Sequence, residues 1–454
     1  MRAILCAFLL LAACFAGPVA AQNVYAITEV TVVPMDSERL IPGQTVIVRD
    51  GRIAAIGPSA ETPVPEGVET IEGRGRYLMP GLAEMHAHVP PDPEAVQWTE
   101  DVLFLYAANG ITLVRSMLGA AHHLELRRQA ERGEIISPRI FASGPSFSGN
   151  SVASPEAARR MVREQKAAGY DILKIHPGLD RARYDAVAAT AREQGIPFAG
   201  HVPAAVGLTR ALEAGQATVD HLDGYFALLA VGGDGVAEDG GFFGFDLVDR
   251  VAEGRIAQVA RRTREAGVWN VPTESLMRHL MDPDLSTDEL LARDEMRYVP
   301  PDMRDEWKRI RIEIQGAPDY TAAKARRMIK LRRRVIGELD AAGAGLLLGS
   351  DAPQWFNVPG FSLLRELQYM VDSGLTPYEA LAAGTVNVAR YLGKAEEFGT
   401  IQPGRRADLL LLNANPLEDV ANVRRRAGVM LGGRWFTEER LREGLETIAQ
   451  RHAG

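Results

Sequence analysis

The most constraining feature of this sequence is an alternation. From Leu82 to Asp351, short apolar runs suited to buried strands are separated by longer stretches with helical periodicity. The runs are Leu82–His88, Ile111–Ser116, Arg139–Ser143, Ile172–His176, Pro197–His201, Ala217–His221, Val268–Pro272 and Gly345–Asp351. That alternation argues for βα units and a parallel sheet, whose crossovers need a dozen or more residues. Eight such units in roughly 270 residues predict a (β/α)8 TIM barrel, whose chemistry sits at the C-terminal ends of its strands. Among the intervening helices, 155–168, 181–194 and 323–342 are amphipathic enough to cover a sheet. Segments 225–267 and 276–322 exceed what a crossover needs, and Gly-rich Val231–Phe245 is where a mobile lid is expected.

Strand texture also appears outside the alternation, at 24–33, 44–48, 52–56 and 68–71, and again at 407–412 and 427–436. Asp50-Gly51 is a tight hairpin signal. The two ends are therefore expected to combine into a small composite β-sandwich domain, 22–78 with 399–454, from which the barrel 79–398 is an insertion.

Polar residues gather where barrel strands end. Of nine histidines, His86 and His88 close the first strand, His176 the fourth, His201 the fifth and His221 the sixth. His86 and His88 are spaced i, i+2, so on a strand they share a face, and two neutral imidazoles suit a divalent metal such as zinc. Asp351 closes an apolar run in which a buried carboxylate needs a cation. Lys174 lies among aliphatics in the fourth strand, where its ammonium needs a partner or a chemical modification.

Residues 1–21 carry Arg2, an apolar run Ala3–Ala16 and small residues before Gln22, the pattern of a secretory signal cut after Ala21. Leu11-Ala12-Ala13-Cys14 offers a second route, a lipid anchor on Cys14. Both cysteines, Cys6 and Cys14, lie in this segment, so disulfides and thiolate ligands are excluded from the remainder. The expected location is periplasmic or secreted. A formal charge of −8 and the lack of a basic tract with interleaved aromatics argue against nucleic acid as partner, and no stretch is long and apolar enough for a transmembrane span.

Met79-Pro80-Gly81 with His86-Ala87-His88, Ile172-Leu173-Lys174-Ile175, Gly200-His201-Val202, Val219-Asp220-His221, Leu348-Gly349-Ser350-Asp351-Ala352 and the run Gly399–Leu409 together resemble the amidohydrolase superfamily, in its imidazolonepropionase-like and prolidase-like branch. The resemblance runs from about Ile27 to Trp435. It implies two divalent metal ions, Zn2+ being the expected species. His86, His88 and Asp351 would hold one and His201 and His221 the other, with Lys174 N6-carboxylated by CO2 as the bridge. It implies attack of a metal-bridging hydroxide on a carbonyl, with Asp351 as proton carrier. It also offers Tyr225 as a catalytic group polarising the carbonyl, the other reading being a rim aromatic.

His176 shares a strand face with Lys174 and is a candidate substrate contact, with a supporting role as the alternative. Arg115 could bind a substrate carboxylate bidentately or form a structural ion pair. Trp355 and Phe356, where many relatives are Gly-rich, suggest an apolar or aromatic substrate moiety. His122, His123, His279 and His452 are expected at the surface, and the basic run 324–334 as a solvated helix face. The expected activity is hydrolysis of amide-type C–N bonds in a dipeptide or N-acyl amino acid. Lactone, ester or cyclic-amide hydrolysis would use the same residues; a non-catalytic metal-stabilised binding protein is the reading of another class. A homo-oligomer is left open.

Overall fold

The computed structural model describes residues 24–231 and 240–453. The secretory signal, the lipidation motif and residues 232–239 of the expected lid lie outside them.

Five strands open the described chain: β1 (Val24–Val32), β2 (Ile41–Arg49), β3 (Arg52–Pro58), β4 (Glu69–Glu72) and β5 (Tyr77–Pro80). Seven short strands follow: β6 (Leu82–Ala87), β7 (Ile111–Ser116), β8 (Arg139–Ala142), β9 (Leu173–Ile175), β10 (Phe198–Gly200), β11 (Thr218–Asp220) and β12 (Trp269–Val271). The last three are β13 (Leu409–Leu412), β14 (Arg426–Leu431) and β15 (Arg434–Thr437).

Both chain ends build one sheet, in the order β15-β14-β13-β5-β1-β2-β3, with β4 branching from β1. The antiparallel pairing of β13 with β5 ties the ends together. Ile27, Val46, Val48 and Ile53 share one apolar cluster with Leu409, Leu411 and Met430, so this sheet has a core of its own. The run expected at 427–436 is a hairpin, since Gly432 and Gly433 both take positive φ and turn the chain. After β15 the chain forms a helix, Glu438–Arg451, capped by Thr437 and packed against helix Val96–Ala108. The expected β content of 399–454 therefore stops at Thr437.

The middle of the chain is a barrel-like α/β arrangement. β6-β7-β8 form one parallel sheet and β9-β10-β11-β12 another. Single parallel bridges join Ser143 to Ile172, Asn270 to Leu346 and Ala87 to Ala352. The expected eighth strand is an extended segment without regular strand pairing, and Asp351 turns to positive φ (65°) at its end. It is nonetheless hydrogen-bonded on both sides: Leu347 N–H donates to Asn270 O, and Met85 N–H to Leu348 O. Two expected helices are formed as drawn, Pro155–Ala168 and Arg181–Gln194, each started by a side-chain cap, Ser154 or Asp180. Two shorter helices, Pro377–Ala383 and Val386–Tyr391, follow toward the C-terminal strands.

Candidate metal centre

β6 carries Glu84 and His86 on one face, both fully buried. The Glu84 carboxylate accepts from His86 N–H (2.9 Å), Ser350 N–H (2.8 Å) and the Ser350 hydroxyl, lashing β6 to the segment that ends in Asp351. That brings His86 Nε2 and His88 Nε2 to 3.5 and 3.1 Å from Asp351 Oδ1. His221 completes a cluster: His86, His221 and Asp351 each offer a ligand atom, all within 4.8 Å of one another. His201 packs on His221 with ring centroids 4.5 Å apart.

Three of the four imidazoles have a polar partner at the other nitrogen. His86 Nδ1 lies 2.8 Å from Asp220 Oδ2, His201 Nδ1 lies 2.8 Å from Asp223 Oδ2, and His221 Nδ1 is hydrogen-bonded to Thr273 Oγ1 (2.8 Å). Outer partners of this kind fix the ring and direct the remaining nitrogen at a metal. Burial pulls His86, His88, His201 and His221 well below the usual histidine range, with the Lys174 ammonium adding to the effect, so the rings are neutral and competent as ligands. His88 Nε2, His221 Nε2 and Asp351 Oδ1 are buried without a hydrogen-bond partner. Buried acceptors converging unpaired call for a cation, so these residues fit a divalent metal site.

Lys174 reaches this cluster from β9, with Nζ 3.1 Å from His86 Nε2. Its path depends on Gly200, whose φ is 119° and where a Cβ would sit 2.9 Å from Lys174 Cδ and 2.6 Å from Ile175 O. Burial lowers the Lys174 ammonium to about 8, outweighing the pull of Asp220 and Asp351 in the other direction.

Above the cluster opens a chamber of about 770 Å3, with His88, His201, Asp223 and Asp351 at its floor and His176 and Trp355 on its walls. His176 stacks near His201, centroids 5.1 Å apart, and burial lowers it to about 3. Phe356 does not line the chamber; it is buried against Trp307.

Two expected site residues are elsewhere. The Tyr225 phenol is buried, donating to Asn270 Oδ1 (2.8 Å) and paired with Thr263 Oγ1 (3.0 Å), so its oxygen is engaged away from the chamber. Arg115 is enclosed among the parallel strands, donating to Met85 O (2.6 Å), Thr218, Tyr391 and Asp220 (3.2 Å). It is the structural ion pair, not a substrate contact, because its donors are taken and it has no access to the chamber.

Other surface expectations also fail. His279 is fully buried with Nε2 against Arg293, and His123 is buried with Nε2 at Pro90 O. His452 is partly covered and held by Asp101. In the basic run, Arg332 is buried: it donates to Glu274 (2.7 Å), to His221 O and to Pro272 O (both 2.8 Å). This guanidinium pins the backbone that presents His221 and Thr273. Asp220, Asp223, Glu84 and Arg332 are the supporting residues that sequence reasoning missed.

Buried imidazoles and a carboxylate converging at the strand ends of a barrel-like α/β scaffold define a protein built around a divalent-metal site. Residues 77–436 match the model of the Amidohydrolase family, and the chain belongs to that family. It is 24% identical over 401 residues to adenine deaminase 3 of Rhizobium meliloti (strain 1021), covering 85% of this chain and 54% of that protein. The chain thus spans about half the length of the adenine deaminases it matches. It is 26% identical over 415 residues to the imidazolonepropionase of Salmonella agona (strain SL483), covering 85% of this chain and 91% of that one. A solved Xaa-Pro dipeptidase with methionine bound in its active site superposes with a TM-score of 0.66 at 19% identity, over 91% of this chain and 100% of that one. That likeness carries the fold.

Proposed function

We propose that this protein is a divalent-metal-dependent hydrolase of amide-type C–N bonds in small substrates such as dipeptides or N-acyl amino acids. The observation that carries the reading is that His88 Nε2, His221 Nε2 and Asp351 Oδ1 are buried without a hydrogen-bond partner, with His86 and His221 clustered on Asp351 beneath a chamber that His88, His201 and Asp351 line. His86, His88 and Asp351 would hold one ion, His201 and His221 the second, and Lys174 would bridge them as a carbamate. The lowered Lys174 favours this, since the neutral amine is the form that adds to CO2. Bound there, two ions, Zn2+ being our assignment, supply Lewis acidity that polarises a carbonyl and acidifies water.

The chain's own part in the reaction is proton handling and positioning. Asp351 takes the proton of the attacking water and delivers it to the leaving nitrogen as the C–N bond breaks, releasing a carboxylic acid and an amine. His176 contacts the substrate from the wall. Asp220, Asp223 and Thr273 hold the rings at which the ions bind.

We also infer that the two parallel sheets close through 345–352 into a (β/α)8 barrel, supported by the bridges at Leu346 and Ala352. On this division 79–398 is the catalytic barrel, with 22–78 and 399–454 as the companion domain. Export rests on the sequence of residues 1–21 alone. The reading is tested by loading the purified protein with zinc and assaying dipeptides, N-acyl amino acids and lactones. Amide hydrolysis lost on chelation supports it; turnover of lactones alone, or of nothing, refutes it.

A further inference from the structure

The chamber wall is aromatic and lacks a cation. Phe242 and Phe243, half-buried, stand on one side; Trp355 faces them from the segment after Asp351, with its ring 6.1 Å from Phe242. Phe243 also packs edge-on to the His221 ring, centroids 5.4 Å apart. Two of these rings are held at a backbone cost. Phe243 and Trp355 have φ of 50° and 47°, in the left-handed region that residues with a Cβ rarely adopt. Such strain persists where the surrounding fold imposes it, and functional sites are where it collects.

The charged side chains lining the chamber are of one sign. Among the described residues lining the chamber there is no Lys or Arg, and the acidic residues are Asp223 and Asp351. Lys174 lies below, against His86, and does not line the wall. A substrate carboxylate entering this wall would lose hydration without gaining a guanidinium or ammonium, whereas an aromatic group would gain ring contacts and a cation would meet aromatic faces.

We propose that the aromatic chamber selects substrates by the side chain beside the scissile bond, accepting aromatic and apolar groups, admitting cationic ones, and rejecting anionic ones. This rests on the hydrolase reading above and specifies its substrate class. Every member of a dipeptide series carries the same terminal carboxylate, so the discrimination falls on the side chain, where an acidic group would meet Asp223 and Asp351 with no Lys or Arg beside them.

The test is a matched series of dipeptides, Gly-X and X-Gly, with X being Phe, Leu, Lys or Glu, assayed on the zinc-loaded full chain. We expect kcat/KM for the better Phe isomer to exceed that for the better Glu isomer by on the order of 10²-fold, with Leu and Lys between. Introducing a cation by Ala227→Lys, at a position on the wall, should raise kcat/KM for the Glu members at least about tenfold and not that for the Phe members. Equal turnover of Glu and Phe members by the wild type overturns the inference and leaves the hydrolase reading standing. Turnover of no member overturns the inference, and the hydrolase reading falls with it only if N-acyl amino acids are not hydrolysed either. A folded Ala227→Lys protein with unchanged Glu:Phe preference also counts against the inference, since charge at the wall would then not govern selection.

Discussion

His201 Nδ1 and Asp223 Oδ2 lie 2.8 Å apart, the carboxylate standing two residues past His221 in the turn after β11. The contact leaves His201 Nε2 as the nitrogen free to bind. Asp223→Ala should lower zinc affinity about 10–100-fold, read by competition with a chromophoric chelator. Asp223→Asn, which keeps an acceptor, should lose less. Equal affinity in Asp223→Ala and wild type would remove Asp223 from the centre.

Arg115 and Asp220 form a buried ion pair, at 3.2 Å, and Asp220 also touches His86. Removing one partner strands the other charge, so Arg115→Met should destabilise the protein by about 3–5 kcal/mol in urea unfolding. If Arg115 instead served a substrate carboxylate, stability would hold while KM rose selectively for anionic substrates.

Tyr225→Phe removes a phenol engaged by Asn270 and Thr263. The expected outcome is a stability loss of about 1 kcal/mol and a kcat within about twofold of wild type. A kcat reduced on the order of 10²-fold would return Tyr225 to the catalytic machinery.

How these roles were distributed explains what the sequence disclosed. The barrel strands were legible because a buried strand leaves a short apolar run, and His86, His88, His201, His221 and Asp351 stood out because each ends one. Glu84 was within reach of the same rule, since residues 84, 86 and 88 alternate onto one face. Asp220 and His221 escape it: His221 has φ of 62°, so the chain turns out of the strand at that residue and consecutive side chains can serve one site. Arg332 was hidden for a different reason. Its partners Glu274, Pro272 and His221 lie 58 or more positions away, and local periodicity carries no record of such pairing. The helix at 438–451 did announce itself, with Thr437 as its cap and Glu438 and Glu439 in its first turn, but the strand texture before it drew the reading onward.

Lys174→Ala takes away the proposed bridge while leaving the histidines in place. Activity should fall on the order of 10²-fold or more and return in part when a short carboxylic acid such as propionate is added, because its carboxylate can span the two ions. Full activity without the additive would refute a carboxylated lysine.

The most direct measurement is metal content per chain, by elemental analysis after zinc loading and removal of free ion, for the wild type beside a His88→Ala, His221→Ala double variant of matched folded content. The account predicts two zinc ions per wild-type chain and none held stoichiometrically by the variant. A wild type that retains no metal, or a variant that retains as much as the wild type, would contradict a metal centre at His86, His88, His201, His221 and Asp351.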